Sequence, residues 1–462
     1  MVQSLKDFSR PYFIGIAGTG MSAIAQYLQG IGMQVAGSDR EFSKPSAAST
    51  KAKLEATGIA CHLQDGRGLT DQIDLVVVST AIESTVQEVV LAKEKGIPII
   101  HRAALLALIA ASKKTIAVAG TSGKSTTAAM LFDILEYGGL SPSIISGAGL
   151  TRIIQQGKIG NAVVGNGEWL VIEADESDGS IVNYHAEIGL LLNIDKDHDE
   201  IATLMQLFEQ FKKNSYYFSV NRSHVLAASL SNHSDRDFVV DDEGLVDSSI
   251  GYVASHFSQK GMTIQFSING VPFELKQVGR HNMENALAAV AIAHQVGVSL
   301  EDCATALQQY HGIYRRHQLL GEKKGVVVID DYAHNPAKCA AAIMACQPIA
   351  AKVIAWFQPH GYKPTRFLRA DFVQSIAQAL RPGDEIWMSE IYYAGGTAVK
   401  DISAGDLIND LKQLGIAAFF IEDRSQFLAS VQPHLTTDCV LLLMGARDPS
   451  LEQFTQQLFE LL

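Results

Sequence analysis

The segment from Thr115 to Thr127 contains the residue types and spacing of a phosphate-binding loop. An apolar run ending at Ala119 predicts a buried strand, and the run after Gly123 predicts a helix. Glycines between them let backbone N–H groups turn toward an anion, and the start of a helix adds positive potential. Lys124 can reach terminal phosphates, and the Ser125 hydroxyl can bind Mg²⁺. We therefore interpret the segment as an ATP site.

The predicted ATP loop is shorter than the common phosphate-loop pattern. The first glycine of G-x-x-x-x-G-K-[ST] would fall at Val118, so the loop has only two glycines. An ordinary glycine turn with an incidental lysine is the alternative. The residues assigned to the ATP loop are Gly120, Thr121, Ser122, Gly123, Lys124, Ser125 and Thr126.

A second glycine-rich turn lies near the start of the chain. From Gly18 the sequence fits G-x-G-x-x-[GA], directly after a predicted strand, and Asp39 falls near the usual place of a ribose-binding acid. Alone, this turn predicts a dinucleotide site, so an NAD(P)-dependent oxidoreductase is an alternative hypothesis. An oxidoreductase has no need of a second phosphate cradle at Gly120. Two cradles favour an ATP-driven reaction on a phosphorylated substrate.

Two acidic segments follow predicted strands. Glu173 ends an apolar run and begins the acidic stretch that reaches Asp178, and His198 closes a similar segment after the next strand. Carboxyl ends of parallel strands meet at the ligand-binding edge of a sheet. Glu173 is best placed to bind Mg²⁺. His198 could be a metal ligand, but because Mg²⁺ prefers oxygen, a role through water or on a second metal is equally open. Asp175, Glu176 and Asp178 are equally compatible with a solvated acidic loop.

Strand-like runs alternate with helical patterns nearly throughout, which predicts an α/β fold with parallel sheets. The 462 residues suggest about three domains. We expect boundaries at 1–111, 112–312 and 313–462, with a polar joint just before the ATP loop. Hydrophobic residues make up 47% and charged residues 19%, which is typical of a globular chain.

Net charge and cysteine content indicate which partners the protein is expected to bind and in which cellular compartment it is expected to work. A net charge of −12 disfavours nucleic acid as a partner. The five cysteines are scattered without a C-x-x-C pair, which indicates a reducing environment. We find no signal peptide and no apolar run of about 18 residues, so we expect a cytoplasmic protein without a membrane span. Both a monomer and a homodimer are compatible with the sequence.

Taken together, the motifs resemble the Mur ligase family over essentially the whole chain. Each motif is weak alone, but their order is highly specific. They are Phe13-Ile-Gly-Ile-Ala-Gly-Thr-Gly-Met-Ser22, Gly120-Thr-Ser-Gly-Lys-Ser125, Glu173-Ala-Asp-Glu-Ser-Asp178, Asn193-Ile-Asp-Lys-Asp-His198, Gly279-Arg-His-Asn-Met-Glu-Asn-Ala-Leu287, Tyr314-Arg-Arg-His-Gln318, Asp330-Asp-Tyr-Ala-His-Asn-Pro336 and Phe357-Gln-Pro-His360.

The resemblance implies three domains and one reaction. A Rossmann-like domain would bind the UDP part of the substrate. A central P-loop ATPase-like domain would bind ATP and Mg²⁺, and a C-terminal Rossmann-like domain would bring the incoming amino acid. The lactyl carboxylate of UDP-N-acetylmuramate would attack the γ-phosphate of ATP to give an acyl phosphate. The amino group of L-alanine would then displace the phosphate, a step in making peptidoglycan precursors.

The resemblance also assigns roles to individual residues. His281, Asn282 and Asn285 would belong to the nucleotide pocket, although His281 and Asn282 could equally cap their helix. Arg316 would reach the ATP phosphates, and Asp331 would lie near the ribose. The implied catalytic residues are Lys124, Glu173, His198, His334 and Arg316, and the implied metal ligands are Ser125, Glu173 and His198. The implied substrate-binding residues are Gly18, Thr19, Gly20, Met21, Ser22, Asp39, Ser79, Thr80, Ala81, Arg102 and His360.

Several positions depart from the pattern of the alanine-adding members. Those members usually have histidine where Ser122 stands and a second histidine where Asn335 stands. Gly361 and Pro364 replace two arginines, and Gly396 replaces an acid. The guanidinium group of an arginine can donate to both oxygens of a carboxylate. Its loss therefore predicts weaker recognition of the carboxylate of a small amino acid. A preformed peptide donor, a muramyl acceptor without UDP and a non-catalytic nucleotide-binding regulator therefore stay open as alternatives.

Overall fold

The computed structural model describes residues 2–177, 179–196, 200–241, 243–245, 249–393, 395 and 399–462. It has the predicted α/β fold with mainly parallel sheets, so the fold class is confirmed. The chain forms two compact units. The first contains Met1–Ser255, Ile268–Phe273 and Asn285–Ile313, and the second contains His256–Ser267, Glu274–Glu284 and Tyr314–Leu462.

The first unit begins with a five-stranded parallel sheet in the order β3-β2-β1-β4-β5. The chain builds one side of β1 and then returns to build the other side, so the direction of strand addition reverses at β1. Such a switch point is where open α/β sheets bind ligands. The strands are β1 (Pro11–Ile14), β2 (Ala36–Asp39), β3 (Ala60–Leu63), β4 (Leu75–Val78) and β5 (Ile99–His101), and the helices are α1 (Thr19–Gly30), α2 (Ala48–Ala56), α3 (Gln87–Glu94) and α4 (Arg102–Ala110).

The same unit contains a six-stranded sheet in the order β11-β10-β6-β9-β7-β8. Its strands are parallel except for the β7–β8 pair. The strands are β6 (Lys114–Ala119), β7 (Ser143–Ile145), β8 (Ala162–Val163), β9 (Trp169–Ala174), β10 (Ile188–Leu191) and β11 (Tyr217–Val220). The helices of this segment are α5 (Lys124–Tyr137), α6 (Thr151–Ile154), α7 (Ile201–Asn214) and α8 (Val225–Ala228).

Helix α5 is buried along most of its length, from Ser125 to Leu135. Its first turns carry small side chains, among them Ala128 and Ala129, which are fully buried. Small side chains let the helix lie close to the sheet, and the helix start then lies at the carboxyl end of β6. The composition of α5 therefore fixes the place of the loop that precedes it.

A four-stranded sheet and two helices follow before residue 314. The sheet has the order β12-β13-β14-β15. The elements are β12 (Phe238–Val240), β13 (Tyr252–Lys260), β14 (Thr263–Ile268), β15 (Val271–Leu275), α9 (Arg280–Gln295) and α10 (Leu300–Gln308).

The second unit contains a six-stranded sheet in the order β16-β17-β21-β18-β19-β20. All neighbours are parallel except β16, which runs antiparallel to β17. The strands are β16 (Gln318–Lys323), β17 (Val326–Asp331), β18 (Lys352–Gln358), β19 (Glu385–Ser389), β20 (Ala418–Ile421) and β21 (Cys439–Gly445). The helices are α11 (Pro336–Cys346), α12 (Tyr362–Phe367), α13 (Arg369–Ala379), α14 (Ala404–Gln413), α15 (Phe427–Val431) and α16 (Leu451–Leu461). Among the described residues, no helix is both long and apolar enough to cross a membrane.

Candidate functional site

The loop after β6 has the backbone of an anion cradle. Gly120 has φ 137° and Gly123 has φ 85°, both in the region that favours glycine. A Cβ atom on Gly123 would lie 2.4 Å from Oδ1 of Asn285. The loop then enters α5, whose first-turn N–H groups have no partner inside the helix. Glycine is therefore required at 123 both by conformation and by the close approach of Asn285.

Asn193, which follows β10, holds the ATP loop in place. Its Oδ1 accepts hydrogen bonds from the Ser122 N–H at 2.8 Å and the Thr121 hydroxyl at 3.0 Å. Its Nδ2 donates to the Ser122 carbonyl at 3.2 Å. The amide thus fixes the loop from the neighbouring strand. Asn193 lies in one of the motifs, and although the motif alone assigns it no role, its position after a strand is a usable signal.

Lys124 is the first residue of α5 and is already paired. Its Nζ donates to the Gly120 carbonyl and to Oε2 of Glu176, each at 2.7 Å, and Oδ1 of Asp175 is 4.0 Å away. Burial alone lowers the pKa of Lys124, but the carboxylates of Glu176 and Asp175 outweigh burial and raise it. Lys124 is therefore held as a cation. The side chain of Glu176 is only 3% exposed, so it is not part of a solvated acidic loop.

Ser125 and Glu173 form the oxygen-rich part of the loop. The Ser125 hydroxyl donates to Oε2 of Glu173 at 2.8 Å. Oε1 of Glu173 accepts from the Ser146 hydroxyl and the Gly147 N–H, each at 2.6 Å. Carboxylate and hydroxyl oxygens are among the ligands that Mg²⁺ prefers, so these two residues fit that ion.

The third predicted metal ligand, His198, lies outside the described residues, as does Asp178. Within the ranges that the structure describes, no group of three or more His, Cys, Asp or Glu side chains is arranged to hold a metal. The Ser125–Glu173 pair is therefore the described part of the predicted metal site.

Asn285 lies beside the ATP loop, within the same unit. Its Oδ1 accepts a hydrogen bond from the Thr127 hydroxyl at 3.2 Å, one turn into α5. Thr126 precedes that residue in the same turn and is buried. The structure thus brings Thr126 and Asn285, both predicted nucleotide contacts, to the first turns of α5.

The first cradle follows β1 and opens α1. Gly18 is the residue before the helix, and Thr19, Gly20, Met21 and Ser22 form its first turn. Their position leaves first-turn N–H groups available at the carboxyl end of the sheet. A Cβ atom on Gly20 would lie 2.7 Å from Nη1 of Arg102, which begins α4 after β5. The structure therefore brings Arg102 to the first cradle.

Other predicted substrate contacts lie at the same edge. Ser79 directly follows β4, and Thr80 and Ala81 continue an exposed turn. Asp39 ends β2, but its carboxylate already holds the backbone. One oxygen accepts from the Ala17 N–H and the other from the Glu41 N–H, each at 2.9 Å. Both oxygens therefore hold the turn, and because each carboxylate oxygen can accept a second hydrogen bond, the substrate-binding role of Asp39 stays a prediction.

In the second unit, Asp331 ends β17 and pairs with His317. Its Oδ2 accepts from the His317 N–H at 2.7 Å and lies 3.0 Å from Nδ1 of the same residue. Burial disfavours both charged groups, yet the attraction between His317 and Asp331 lowers the pKa of Asp331 and raises that of His317. Arg316 adds to the lowering of the Asp331 pKa and opposes the rise of the His317 pKa. Arg316 lies over the Tyr332 ring at 4.6 Å. His317 lies in one of the motifs, but no sequence pattern predicts its pairing with Asp331.

His281 and Asn282 lie in the first turn of α9, inside the helix. Nδ2 of Asn282 donates to the Val278 carbonyl at 2.8 Å. The His281 ring is 5.1 Å from the His317 ring. Burial and the neighbouring His317 lower the pKa of His281 to about 3, against the attraction of Asp331. His281 is therefore neutral at physiological pH.

His334 and His360 approach each other beyond the carboxyl ends of β17 and β18. Their ring centroids are 5.6 Å apart, and Nδ1 of His334 lies 2.8 Å from the Tyr332 carbonyl. Burial, with Lys338 nearby, lowers the pKa of His334, so its imidazole is neutral. Asn335 caps α11 by accepting from the Lys338 N–H at 2.9 Å.

In the altered loop after His360, the backbone conformation at position 361 favours glycine. Gly361 has φ 73°, its N–H donates to the Tyr392 carbonyl at 2.8 Å, and a Cβ atom there would lie 3.0 Å from the Pro364 ring. An arginine at 361 would therefore be strained in this loop. Gly396 lies outside the described residues.

A glycine turn between a strand and a helix, present twice in this chain, is typical of α/β nucleotide-binding proteins, and comparison with known proteins names the family. Three family models match: Mur ligase family, catalytic domain, at residues 10–114, Mur ligase middle domain at 118–293, and Mur ligase, glutamate ligase domain, at 315–447. The chain belongs to the Mur ligase family.

Individual relatives cover nearly the whole chain. A UDP-N-acetylmuramate–L-alanine ligase of Pelotomaculum thermopropionicum is 35% identical over 95% of this chain and 94% of its own length. The corresponding ligase of Dictyoglomus turgidum is 32% identical over the same shares. The crystal structure of UDP-N-acetylmuramate-alanine ligase from Thermotoga maritima superimposes with a TM-score of 0.78 at 25% identity, covering 98% of both chains.

Proposed function

We propose that this protein is an ATP-dependent ligase that joins L-alanine to the lactyl carboxylate of UDP-N-acetylmuramate, in the synthesis of peptidoglycan precursors. The observation that carries the proposal is the second cradle, where Lys124, Ser125 and Glu173 meet at the start of α5. The names of relatives that match over nearly the whole chain support the same substrate pair.

The chemistry of the proposed reaction explains the charges of the loop. The acceptor carboxylate attacks the γ-phosphate of ATP, and the bond to the β-phosphate breaks to release ADP and an acyl phosphate. The free amine of L-alanine then attacks the acyl carbon, and inorganic phosphate leaves. Negative charge spreads over the transferring oxygens in the first step. Lys124, a buried cation at the end of a cradle of N–H groups, stabilises that charge.

Ser125 and Glu173 would hold Mg²⁺ beside the phosphates. When bound, the ion would neutralise phosphate charge and help orient the γ-phosphate for attack. Glu173 is kept ready for this role because Ser146 and Gly147 anchor its other oxygen. His198 remains a proposed third ligand.

The residues of the second unit carry proposed roles that rest on the family. Arg316 would contact the ATP phosphates, Asp331 the ribose, and His281 and Asn282 the nucleotide. His334, whose imidazole is neutral, and His360 would lie near the donor and the acceptor. The reaction would take place in the cytoplasm, where ATP and UDP-sugars are supplied, and both a monomer and a homodimer are compatible with it.

The direct test measures phosphate release with UDP-N-acetylmuramate, ATP and Mg²⁺. The amino donors are L-alanine, L-serine, glycine and a muropeptide-derived tripeptide, with N-acetylmuramate lacking UDP as a second acceptor. We expect turnover with L-alanine and a product whose mass is that of the amide. Because Gly361 and Pro364 replace an arginine fork, we expect a high KM for L-alanine. Turnover with the tripeptide alone would instead assign the protein to peptide recycling.

The first cradle distinguishes this proposal from an oxidoreductase. Calorimetric titration should give binding of UDP and of UDP-N-acetylmuramate, and none of NADH. Binding of NADH without any response to UDP would contradict the proposal. Binding of UDP and of ATP without turnover for any amino donor would instead favour a non-catalytic regulator.

A further inference from the structure

Asn161, which no motif in the sequence singled out, connects the two cradles. It lies directly before β8 and is only 1% exposed. Its Nδ2 donates to the Thr19 carbonyl at 2.8 Å and to the Ser22 hydroxyl at 3.0 Å. Its Oδ1 accepts from Nε2 of Gln26 at 2.7 Å. The side-chain amide of Asn161 is therefore hydrogen-bonded to the first turns of α1, the helix that follows the first cradle.

The backbone of Asn161 continues the connection toward the ATP loop. Its carbonyl accepts from the Ser146 N–H at 2.9 Å. The Ser146 hydroxyl donates to Oε1 of Glu173 at 2.6 Å, and Oε2 of Glu173 accepts from the Ser125 hydroxyl at 2.8 Å. An unbroken series of hydrogen bonds thus runs from the first turn of α1 to the first turn of α5.

The part of the connection around Asn161 is buried, so water cannot readily replace its hydrogen bonds. Ser22, Asn161 and Ser146 are each at most 2% exposed. Hydrogen bonds in such surroundings are costly to leave unmade. The network therefore resists a shift at one end unless the other end moves with it. An apolar residue at 161 could fill the same space but could not hold both the Thr19 carbonyl and the Ser22 hydroxyl.

We propose that Asn161 is a positioning residue that couples the two cradles, so that a uridine nucleotide in the first and ATP in the second each strengthen the binding of the other. The proposal rests on the proposed function, which places one nucleotide in each cradle. Each ligand orders the first helical turn that it contacts. Because the turns share one network, the second ligand finds part of that ordering already done, which gives positive cooperativity without new contacts.

The experiment measures the coupling directly by calorimetry. The Kd of UDP is determined for the protein alone and with saturating AMP-PNP and Mg²⁺, and the Kd of AMP-PNP with and without UDP. We expect both ratios to be equal, as linkage requires, and at least about fivefold in the wild type. In Asn161→Ala and Ser146→Ala, we expect the ratio to fall to within about twofold of one.

A matched control separates coupling from stability. Ser143→Ala removes a buried hydroxyl of β7 whose hydrogen-bond partner, within the described part of the chain, is the Gly165 backbone, so it should keep the wild-type ratio. Ser146→Ala retains the Gly147 anchor of Glu173 and tests the proposal alone if Asn161→Ala fails to fold. A wild-type ratio of one, or an unchanged ratio in both variants, overturns the inference. Failure of either nucleotide to bind the wild type overturns the proposed function instead.

Discussion

Lys124 and Glu176 form an ion pair inside the ATP loop, with Nζ and Oε2 2.7 Å apart and side chains that are 16% and 3% exposed. The lysine that we assign to the γ-phosphate is therefore bound to an internal carboxylate. A phosphate entering the loop would have to replace that partner. The pair keeps the cation charged and aimed at the cradle, at the cost of competition with the ligand.

Lys124→Ala should abolish ligation while leaving the fold intact. Loss of one preorganised donor to a developing charge costs about 10²–10³ in rate, and a phosphate-contacting cation should cost at least that. Phosphate release under saturating substrates measures the effect. Lys114→Ala, which removes a half-exposed lysine paired with Glu168, is the control and should retain activity. Near wild-type turnover in Lys124→Ala would remove the basis of the ATP assignment.

Glu176→Gln should tighten nucleotide binding to the free enzyme, because the glutamine no longer competes as an anion for Lys124. A gain of about 1 kcal/mol corresponds to roughly a fivefold lower Kd for AMP-PNP. Asp175→Asn is the comparison, since its carboxylate lies 4.0 Å from Nζ and is 43% exposed, so the gain should be smaller. Weaker binding in Glu176→Gln would mean that the carboxylate serves the nucleotide rather than competing with it.

Gly123→Ala should eliminate nucleotide binding. Its Cβ would lie 2.4 Å from Oδ1 of Asn285 in a backbone with φ 85°, so the loop must move. Gly139→Ala is a matched control: φ is 76°, but no atom lies within 4 Å of the added Cβ. Strain alone should cost it about 1 kcal/mol of stability. Equal loss of AMP-PNP affinity in the two variants would show that the Asn285 contact is irrelevant.

Acid should destabilise the second unit through His281. The unfolded chain binds a proton near pH 6.5, whereas burial lowers the pKa of His281 to about 3 in the folded protein. Between these values the unfolded state holds more protons, so stability falls as pH falls. From pH 7 to pH 5 the free energy of unfolding should drop by about 2 kcal/mol from this group.

His281→Gln should reduce that acid-dependent loss, whereas replacement of exposed His185 by Gln should not. The raised pKa of His317 acts in the other direction, because its stabilisation is complete below pH 6.5 and is lost only as pH rises. Guanidinium titration followed by tryptophan fluorescence measures the loss, because Trp356 and Trp387 both lie in the second unit. An unchanged pH dependence in His281→Gln would contradict the assignment.

Local spacing predicted the elements that carry the site, and tertiary packing decided their partners. The strand–glycine–helix pattern at Gly120 and Gly18 predicted both cradles, and the structure has a strand and a helix at each. Glu173 was expected at a strand end, and it lies 2.8 Å from Ser125. The roles of these residues in binding and catalysis stay predictions.

Other contacts had no local signal. From the sequence, Glu176 could belong either to a solvated loop or to the site. The sequence does not reveal that its carboxylate accepts a hydrogen bond from Lys124. Asp39 matched a ribose-binding position, but backbone N–H groups hold both its oxygens. Asn161 is 139 residues from Ser22 in the chain, so only the packed structure brings them together.

The left-handed backbone at Gly361 bears on how this protein could change its donor during evolution. A codon change to arginine at 361 alone would place a side chain where φ is 73° and the Pro364 ring is 3.0 Å from its Cβ. Such a step loses about 1–2 kcal/mol before any carboxylate is bound. A library that varies position 361 alone would therefore recover arginine only at a cost in stability, because the strain comes from the backbone of 361 itself.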